Sequence, residues 1–366
     1  MAPPPTYRPI LLTKRGERSA LTDTPATVKA TLLPVLVVEP IDWNYDTDAP
    51  AKTIDEHLAR KAEDLSASWG FGEAAVDLVF HDDTPMTSGD HPLFWLIGAA
   101  NGLGMRLIPA VAPDRSPAYV AAAAAAVARD GAGACIRLPL AQWPSTVGPT
   151  HLDTLVTSLG IGPDAIDLIL DLGEEVAAAP GLALAATVAQ ISALPHLASW
   201  RTVTVAGAGF PKALTGLSRG AHRLDRFEWN LYQALITTSP TRIPLFGDYV
   251  IAHPDPSVDV NPAFMSISAS LRYTIANHWL VLKGELYKGQ GGSGQGGAAV
   301  QPIAAALIAE ADYLGIDHCQ METWLAEVAG GGSGGRPEEW RRYGTRHHLQ
   351  VVSDQLASPP GTSAGP

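Results

Sequence analysis

The fold is decided by short apolar runs such as ACIRLPL at residues 134–140 and IDLILDL at residues 166–172. Each run has the length of a β-strand and is followed by a segment of helical length. Six further runs occupy residues 8–12, 33–39, 75–81, 105–112, 201–206 and 242–250. Strands that alternate with helices in this way predict a parallel sheet buried on both faces. Eight such units within about 250 residues predict an α/β fold, a closed (β/α)8 TIM-like barrel.

The pattern changes after the eighth run. Two runs of β-type residues, 266–274 and 278–285, predict an antiparallel hairpin inserted around residues 266–287. We therefore expect the barrel to extend over residues 1–329, with a flexible Gly-rich loop at 289–297. Residues 330–366 are expected to hold a Gly linker, a short helical C-terminal extension and a disordered tail from Ser358.

Helical spacing of apolar residues predicts helices between and after the runs. Ser116 is the expected N-cap of one of them, because a proline follows it at the first helical position. The predicted helices cover residues 53–69, 117–129, 187–194, 223–237, 301–314 and 337–355.

The composition limits the kinds of partner. The formal net charge of -12 argues against a broad nucleic-acid surface, which would need concentrated positive charge. Cys135 and Cys319 are far apart in sequence and form no CxxC or Cys/His motif, as expected for reduced thiols in a cytoplasmic protein. Residues 1–6 lack the features of a signal peptide and no apolar run approaches the length of a membrane span, so no membrane contact is expected.

Candidate site residues lie where the strands end, because barrels of this class carry their sites at the C-terminal face. Asp171 ends the sixth run and Asp248 lies in the eighth. Lys14, Arg15 and Glu17 follow the first run. These cations and carboxylates would suit a small anionic ligand, with Glu17, Asp171 and Asp248 as candidate catalytic residues. No cofactor is indicated, and a divalent metal is left open.

Each candidate also has a structural interpretation. Asp171 could equally be a helix N-cap. Arg137 lies between Ile136 and Leu138 in a strand, so it needs a carboxylate partner such as Asp171 or Asp248 if it is buried. Gly207 and Gly209 follow the seventh run, where small residues either allow a phosphate to approach the backbone or simply form a tight turn.

Several enzyme classes lack their signatures. The seventh run ends in Ala-Gly, where a barrel glycosidase usually carries a carboxylate. No HxH follows the first run, which argues against an amidohydrolase-like zinc site. No strand lysine is placed for a Schiff base.

The sequence resembles the phage beta-protein family, represented in T-even-like phages. The resemblance rests on YRPI at 7–10, KRGE at 14–17, FGDY at 246–249, LRYT at 271–274, Trp279, Lys283-Gly284, Trp340 and His347-His348. It implies a phage, mobile-element or anti-phage defence setting, and it carries no known reaction. It also directs attention to Arg272, Tyr273 and Lys283 as ligand-binding candidates.

These hairpin residues would join Lys14, Glu17 and Asp248 if the hairpin folded over the barrel mouth. The alternative is that Tyr273 and Trp279 are core residues of the hairpin. The C-terminal Arg341, Arg342 and Arg346 form a local basic cluster that could contact nucleic acid, although such clusters are more often solvated helix faces. Adjacent His347 and His348 point in different directions and make a poor metal pair.

The sequence thus supports two functional hypotheses. In the first, the C-terminal mouth of the barrel recognises a small anionic ligand, nucleotide- or phosphate-like. In the second, the barrel is a catalytically silent scaffold whose C-terminal extension docks a partner protein, encoded nearby in a defence or mobile-element operon, or nucleic acid.

Overall fold

The computed structural model describes residues 5–70, 72–257 and 264–358. The tail predicted to be disordered therefore lies, after Ser358, outside the described residues. The chain forms two compact units. The barrel unit comprises residues up to 14, 29–209 and 227–249, and the second unit comprises residues 15–28, 210–226 and those from 250 onward.

The barrel unit contains the closed eight-stranded parallel barrel that the sequence predicts, with strand order β1-β11-β9-β8-β7-β6-β5-β2. β2 also pairs with β1, which closes the ring. The strands of the whole chain are β1 (Tyr7–Leu12), β2 (Val35–Val37), β3 (Trp43–Asn44), β4 (Ala49–Pro50), β5 (Ala74–Asp77), β6 (Leu107–Val111), β7 (Ala134–Pro139), β8 (Ile166–Asp171), β9 (Thr202–Gly207), β10 (Gly220–Asp225), β11 (Leu245–Asp248), β12 (Ile267–Thr274) and β13 (His278–Lys288).

Alternation along each strand divides the side chains between the barrel interior and the helix layer. The interior is filled by small and branched residues of successive strands, which pack as one buried cluster. This cluster includes Ile10, Val35, Val37, Ala75, Ile108, Ala110, Cys135, Ile169 and Ala206. Because these residues fill the middle of the barrel, polar side chains are confined to its two ends.

Helices follow the strands as predicted, but the helix predicted over residues 53–69 is divided into Ile54–Leu58 and Lys61–Ser68, and the one predicted over residues 187–194 begins earlier, at Pro180. Ser116 caps its helix by accepting a hydrogen bond from the backbone N–H of Tyr119 at 3.1 Å. The helices are α1 (Arg15–Asp23), α2 (Ala26–Lys29), α3 (Ile54–Leu58), α4 (Lys61–Ser68), α5 (Pro92–Gly102), α6 (Pro117–Asp130), α7 (Pro144–Val147), α8 (Thr150–Leu159), α9 (Glu175–Ala178), α10 (Pro180–Ala193), α11 (Phe227–Thr237), α12 (Gln301–Ile308), α13 (Gln320–Ala329) and α14 (Pro337–Ala357).

The third barrel strand is shorter than the apolar run predicts. β5 ends at Asp77, and residues 79–81 form a 3-10 turn that contains His81. The cause is local, because the Asp77 carboxylate accepts a hydrogen bond from the backbone N–H of Val79 at 2.9 Å and turns the chain. Asp77, rather than His81, is therefore the residue at the strand end.

The second unit is built on a three-stranded antiparallel sheet with order β10-β13-β12. The predicted hairpin is confirmed as β12 and β13. The helix predicted over residues 223–237 is wrong at its start, since residues 220–225 form β10 and α11 begins at Phe227. Pairing of β10 with β13 satisfies the backbone of residues 220–225 and overrides their helical pattern.

Three helices cover the hydrophobic face of this sheet. Leu271, Leu282, Leu307 and Leu325 are buried together in its core. The helix predicted over residues 301–314 is shorter, ending at Ile308, and α13 is not predicted. The C-terminal helix is confirmed as α14, and ten of its 21 residues are buried, so it is an integral part of the second unit.

Candidate functional site

Arg137 organises the C-terminal mouth of the barrel, the end at which the strands terminate. Its Nε donates to Asp171 Oδ2 at 2.7 Å, and its Nη1 donates to Asp77 Oδ2 at 2.9 Å. Its Nη2 donates to the hydroxyl of Tyr249, which in turn donates to Asp171 Oδ2 at 2.6 Å. The predicted pairing of Arg137 with Asp171 is confirmed. The other carboxylate that contacts Arg137 is Asp77 and not Asp248.

Arg115 adds a second cation to this group. It follows β6 and lies 3.3 Å from Asp77 Oδ1, and its guanidinium stands over the ring of Tyr119. The five residues Asp77, Arg115, Arg137, Asp171 and Tyr249 are called the mouth network below. Its two arginines and two aspartates balance in formal charge.

The protonation states of two residues of the mouth network, Arg137 and Tyr249, are well defined. Burial lowers the pKa of Arg137, but Tyr249, Asp171 and Asp77 outweigh burial and raise that pKa well above its usual value. Burial, together with the charge of Asp171, raises the pKa of the Tyr249 hydroxyl well above its usual value. Arg137 is therefore a permanent cation, and Tyr249 is a neutral hydrogen-bond donor.

A second polar cluster surrounds Glu39, beyond the end of β2. Lys61 donates to Glu39 Oε1 at 2.6 Å, and Thr13 donates to Oε2. Burial raises the pKa of Glu39, but Lys61 and Thr13 outweigh it and lower that pKa below its usual value. His57 and His81 each place Nε2 at 2.9 Å from the backbone oxygen of Glu39.

The other barrel candidates do not join the mouth network through the contacts described. Asp248 is buried and accepts a hydrogen bond from Tyr7 at 2.5 Å. Tyr7 stacks on Phe246, which packs with aromatic residues of α11, so this pair faces the helix layer. Lys14 is exposed after β1.

Close packing around Gly207 favours a glycine at this position, whether or not a ligand binds there. A Cβ at this position would lie 3.0 Å from a methyl group of Val176 and 3.3 Å from Cβ of Glu228. Close approach of β9 to its helices therefore requires a glycine. Gly209, two residues further on, is half-buried.

The candidates of the second unit have internal partners. Arg15 lies 2.9 Å from Glu338, and buried Glu17 lies 3.7 Å from Arg341. Arg272 donates to the backbone oxygen of Ile251 at 2.9 Å. Lys283 donates to the backbone oxygens of Leu214 and Leu217 at 2.9 and 2.8 Å, while Tyr273 and Trp279 are core residues.

The basic residues of α14 are also engaged within the second unit. Arg342 pairs with Asp23 of α1, and Arg346 donates to the backbone oxygen of the same aspartate at 3.2 Å. Arg341 donates to the backbone oxygen of Ile251 at 3.2 Å. These contacts hold α14 against α1 and the loop after the last barrel strand.

A polar network also lies at the opposite end of the barrel. Nη2 of Arg8 in β1 lies 3.0 Å from Asp167 of β8 and also donates to Thr202 of β9 at 3.1 Å, and Nε of Arg8 donates to Thr204 of β9 at 3.1 Å. Arg201 donates to both oxygens of Asp167, at 2.9 and 2.8 Å. These five residues are called the base network. A cavity of about 440 Å³ borders it, lined in part by Asp167 and Arg201.

A further polar cluster in the second unit escaped the sequence analysis. His347 Nδ1 lies 2.8 Å from Glu322 Oε1, and one nitrogen of His318 lies within 4.8 Å of their ligand atoms. Burial raises the pKa of Glu322, but His347, Cys319 and Tyr273 outweigh it and lower that pKa to about 2. No sequence motif indicates this cluster, because its residues come from two separate segments of the chain.

Asp77 of the mouth network and Lys61 of the Glu39 cluster are among the residues that the sequence analysis missed, for different reasons. Asp77 lay inside a run thought to continue to residue 81, so its place at a strand end was hidden. Lys61 lies on α4, and nothing in the sequence links it to Glu39. The need of Arg137 for a carboxylate partner, together with the expectation that site residues lie at strand ends, could have identified Asp77. No sequence signal identifies Lys61.

No helix among the described residues is both long and apolar enough to span a lipid bilayer. Fold and site together define an eight-stranded parallel barrel with a charged mouth and an additional antiparallel sheet. The chain belongs to the Beta protein family, whose sequence model matches residues 7–354 and confirms the resemblance. None of the curated proteins compared with the chain is a match.

Proposed function

We propose that the C-terminal mouth of the barrel binds a small ligand with an anionic group, nucleotide- or phosphate-like, through Arg137 and Arg115. One observation carries the proposal: the Arg137 guanidinium is fixed by side chains from three other strand ends, and the Arg137 side chain is still 15% exposed. A cation held in place before binding costs little reorganisation when an anion arrives.

The partners of Arg137 support the same role. Asp77 and Asp171 are only 1% and 4% exposed, so Arg137 is more accessible to solvent than the carboxylates that hold it. The planar guanidinium suits phosphate or carboxylate oxygens, which it can contact through two nitrogens. Arg115, 12% exposed, offers a second cation beside Asp77.

Charge balance in the mouth network adds a condition. Because its two arginines and two aspartates cancel, an anionic ligand would leave net negative charge in a partly buried site. We therefore expect the ligand to enter with a divalent cation or a proton. Binding of a phosphate compound should be stronger with Mg²⁺ present than without it.

The biological setting is part of the proposal. Membership of the family is compatible with a phage, mobile-element or anti-phage defence context. Both cysteines are free thiols, as expected in the reducing cytoplasm. Plating phages on host cells that carry or lack the gene tests the context, and equal plating efficiency for all phages would contradict it.

A thermal-shift screen against nucleotides, sugar phosphates and inorganic phosphate, each with and without Mg²⁺, tests the ligand site. A ligand at 100 times its Kd stabilises by about 2.7 kcal/mol, which raises the unfolding temperature by several degrees. The screen is repeated on Tyr249→Phe and, as a matched control, on Tyr7→Phe, which also removes a buried hydroxyl bonded to an aspartate.

We expect a shift that is reduced in Tyr249→Phe and kept in Tyr7→Phe. A shift equal in both variants would place the ligand elsewhere, for instance in the cavity at the base network. The absence of any shift would contradict the proposal and favour the second hypothesis, a scaffold that docks a partner through α14.

A further inference from the structure

A cluster of metal-binding side chains lies in the second unit, independent of the function proposed for the barrel. His318 and Cys319 immediately precede α13, Glu322 lies in its first turn, and His347 lies on α14. Glu322 and His347 are fully buried. His318 and Glu322 are four residues apart, and His347 comes from a distant helix. This spacing brings ligands together without a local sequence motif.

The hydrogen bonds of His347 direct Nδ1, the nitrogen that a metal would take, toward the carboxylate of Glu322. Its Nε2 lies 2.8 Å from the backbone oxygen of Thr274, and because a carbonyl only accepts, Nε2 carries the hydrogen. Nδ1 faces Glu322 Oε1 at 2.8 Å, with a proton between them. Metal-binding histidines use the same arrangement, in which one ring N–H donates to a carbonyl and the other nitrogen binds the ion.

The Glu322 carboxylate is oriented by donors on both oxygens. The Tyr273 hydroxyl donates to Oε1 at 2.9 Å, and the backbone N–H of Cys319 donates to Oε2 at 3.1 Å. The ring of Tyr273 also stacks on that of His347, with 3.9 Å between centroids. Such outer contacts fix the ligands of a metal in place.

His318 supplies an independent observation. Its Nε2 is buried and has no hydrogen-bond partner among the described residues. A buried ring nitrogen without a partner costs free energy, which a metal ion bound at the imidazole would offset. The rings of His318 and His347 meet edge to face at 5.5 Å between centroids.

We propose that His318, Glu322 and His347 bind one Zn²⁺ ion, with the Cys319 thiolate as fourth ligand. One ligand atom of each of the first three lies within 4.8 Å of the others, and Cys319 Sγ lies 3.9 Å from His347 Nδ1. A tetrahedral zinc site needs separations of roughly 3.4 Å between its nitrogen and oxygen ligands. On binding, the wider separations therefore contract, while the 2.8 Å between His347 Nδ1 and Glu322 Oε1 widens.

The ligand set selects the metal. Two imidazoles, one carboxylate and one thiolate suit Zn²⁺, whereas Mg²⁺ and Ca²⁺ prefer six or more oxygens. Zn²⁺ replaces the proton between His347 and Glu322 and the proton of the Cys319 thiol. The ion is then neutralised by one carboxylate and one thiolate, so no net charge is left buried. Four protein ligands make the site structural.

The test measures zinc in the untagged full-length protein by mass spectrometry and by competition with a chromophoric chelator. We expect one Zn²⁺ per chain. His318→Gln should weaken zinc binding at least about tenfold, because loss of an outer contact alone typically costs 10–100-fold. His318 is chosen because its removal leaves the Glu322–His347 pair intact.

His222→Gln is the matched control, since His222 is a partly exposed histidine of the same unit that bonds to the Ser218 backbone oxygen. It should bind zinc as the wild type does. Wild-type protein that is folded by circular dichroism and binds no zinc would overturn the proposal, as would equal affinity in His318→Gln.

Co²⁺ substitution tests the fourth ligand. A thiolate-to-Co²⁺ absorption band should appear in the wild type and disappear in Cys319→Ser, while binding through the other three residues persists. The absence of this band in the wild type would remove Cys319 from the ligand set.

Discussion

Arg8 and Arg137 both point into the barrel, one at each end, and both pair with aspartates of β8. Arg8 is 1% exposed and its partner Asp167 is 3% exposed, so the base network is sealed from solvent at this pair. Arg137 makes as many contacts but is 15% exposed. Hydrogen-bond partners alone therefore do not distinguish Arg8 from Arg137. Their access to solvent does, and the ligand site proposed at Arg137 depends on that access.

The largest expected effect is on the base network. Asp167→Asn removes the carboxylate that compensates Arg8 and Arg201, leaving a buried cation without its counter-charge. Breaking a buried pair in this way costs about 3–5 kcal/mol. Urea denaturation should show a lower midpoint with an unchanged m-value. A loss below about 1 kcal/mol would show that Thr202 and Thr204 suffice for Arg8.

Asp171→Asn is the corresponding change at the mouth. The free energy of unfolding should fall by only about 1–3 kcal/mol, because Arg137 keeps Asp77 and Tyr249 and reaches water. The same urea experiment measures it. A loss as large as that of Asp167→Asn would remove the distinction between the two ends.

The two tyrosine variants sharpen the comparison. Tyr249→Phe and Tyr7→Phe each remove a hydroxyl that donates to a buried aspartate, and each should cost about 1 kcal/mol. Only Tyr249→Phe should alter ligand-induced stabilisation. If Tyr7→Phe alters it equally, the effect is a general loss of stability and not a property of the mouth.

The last effect depends on pH and is smallest at neutral pH. Burial, and next the charge of Lys61, lower the pKa of His57 from 6.5 to about 4 in the folded protein. The unfolded chain therefore takes up a proton at higher pH than the folded one, and stability falls as the pH drops from 6.5 to about 4. His57→Asn should reduce the pH dependence of the urea midpoint over this range. An unchanged slope would contradict a buried neutral His57.

The sequence predicts the barrel well because buried parallel strands appear as apolar runs. The alternation of these runs with segments of helical length is enough to reveal the fold. It also predicts a carboxylate partner for Arg137, since a charge inside a strand needs one, and of the two candidates Asp171 and Asp248 the structure shows Asp171. It misses the end of β5, where the Asp77 carboxylate accepts a hydrogen bond from the backbone N–H of Val79 and ends the strand. Strand β10 is missed because its pairing with β13 is decided by residues about 60 positions away.

The candidate site is predicted less well for a similar reason. Glu322 and His347 are 25 residues apart on different helices, and no spacing rule joins them. Asp248 was chosen for its position near a strand end, but alternation turns its side chain toward Tyr7 and the helix layer. Which side of a strand a residue faces matters as much as how near the end it lies.

The most direct test of the central claim is a calorimetric titration of the most stabilising compound of the screen into Arg137→Lys and wild-type protein, with Tyr7→Phe as control. Lysine keeps the charge but loses the paired nitrogens, and charged hydrogen bonds of this kind contribute about 1.5–3 kcal/mol. We predict a Kd at least about tenfold higher for Arg137→Lys and unchanged for Tyr7→Phe. Equal affinity in Arg137→Lys and wild type would contradict a ligand site at the barrel mouth.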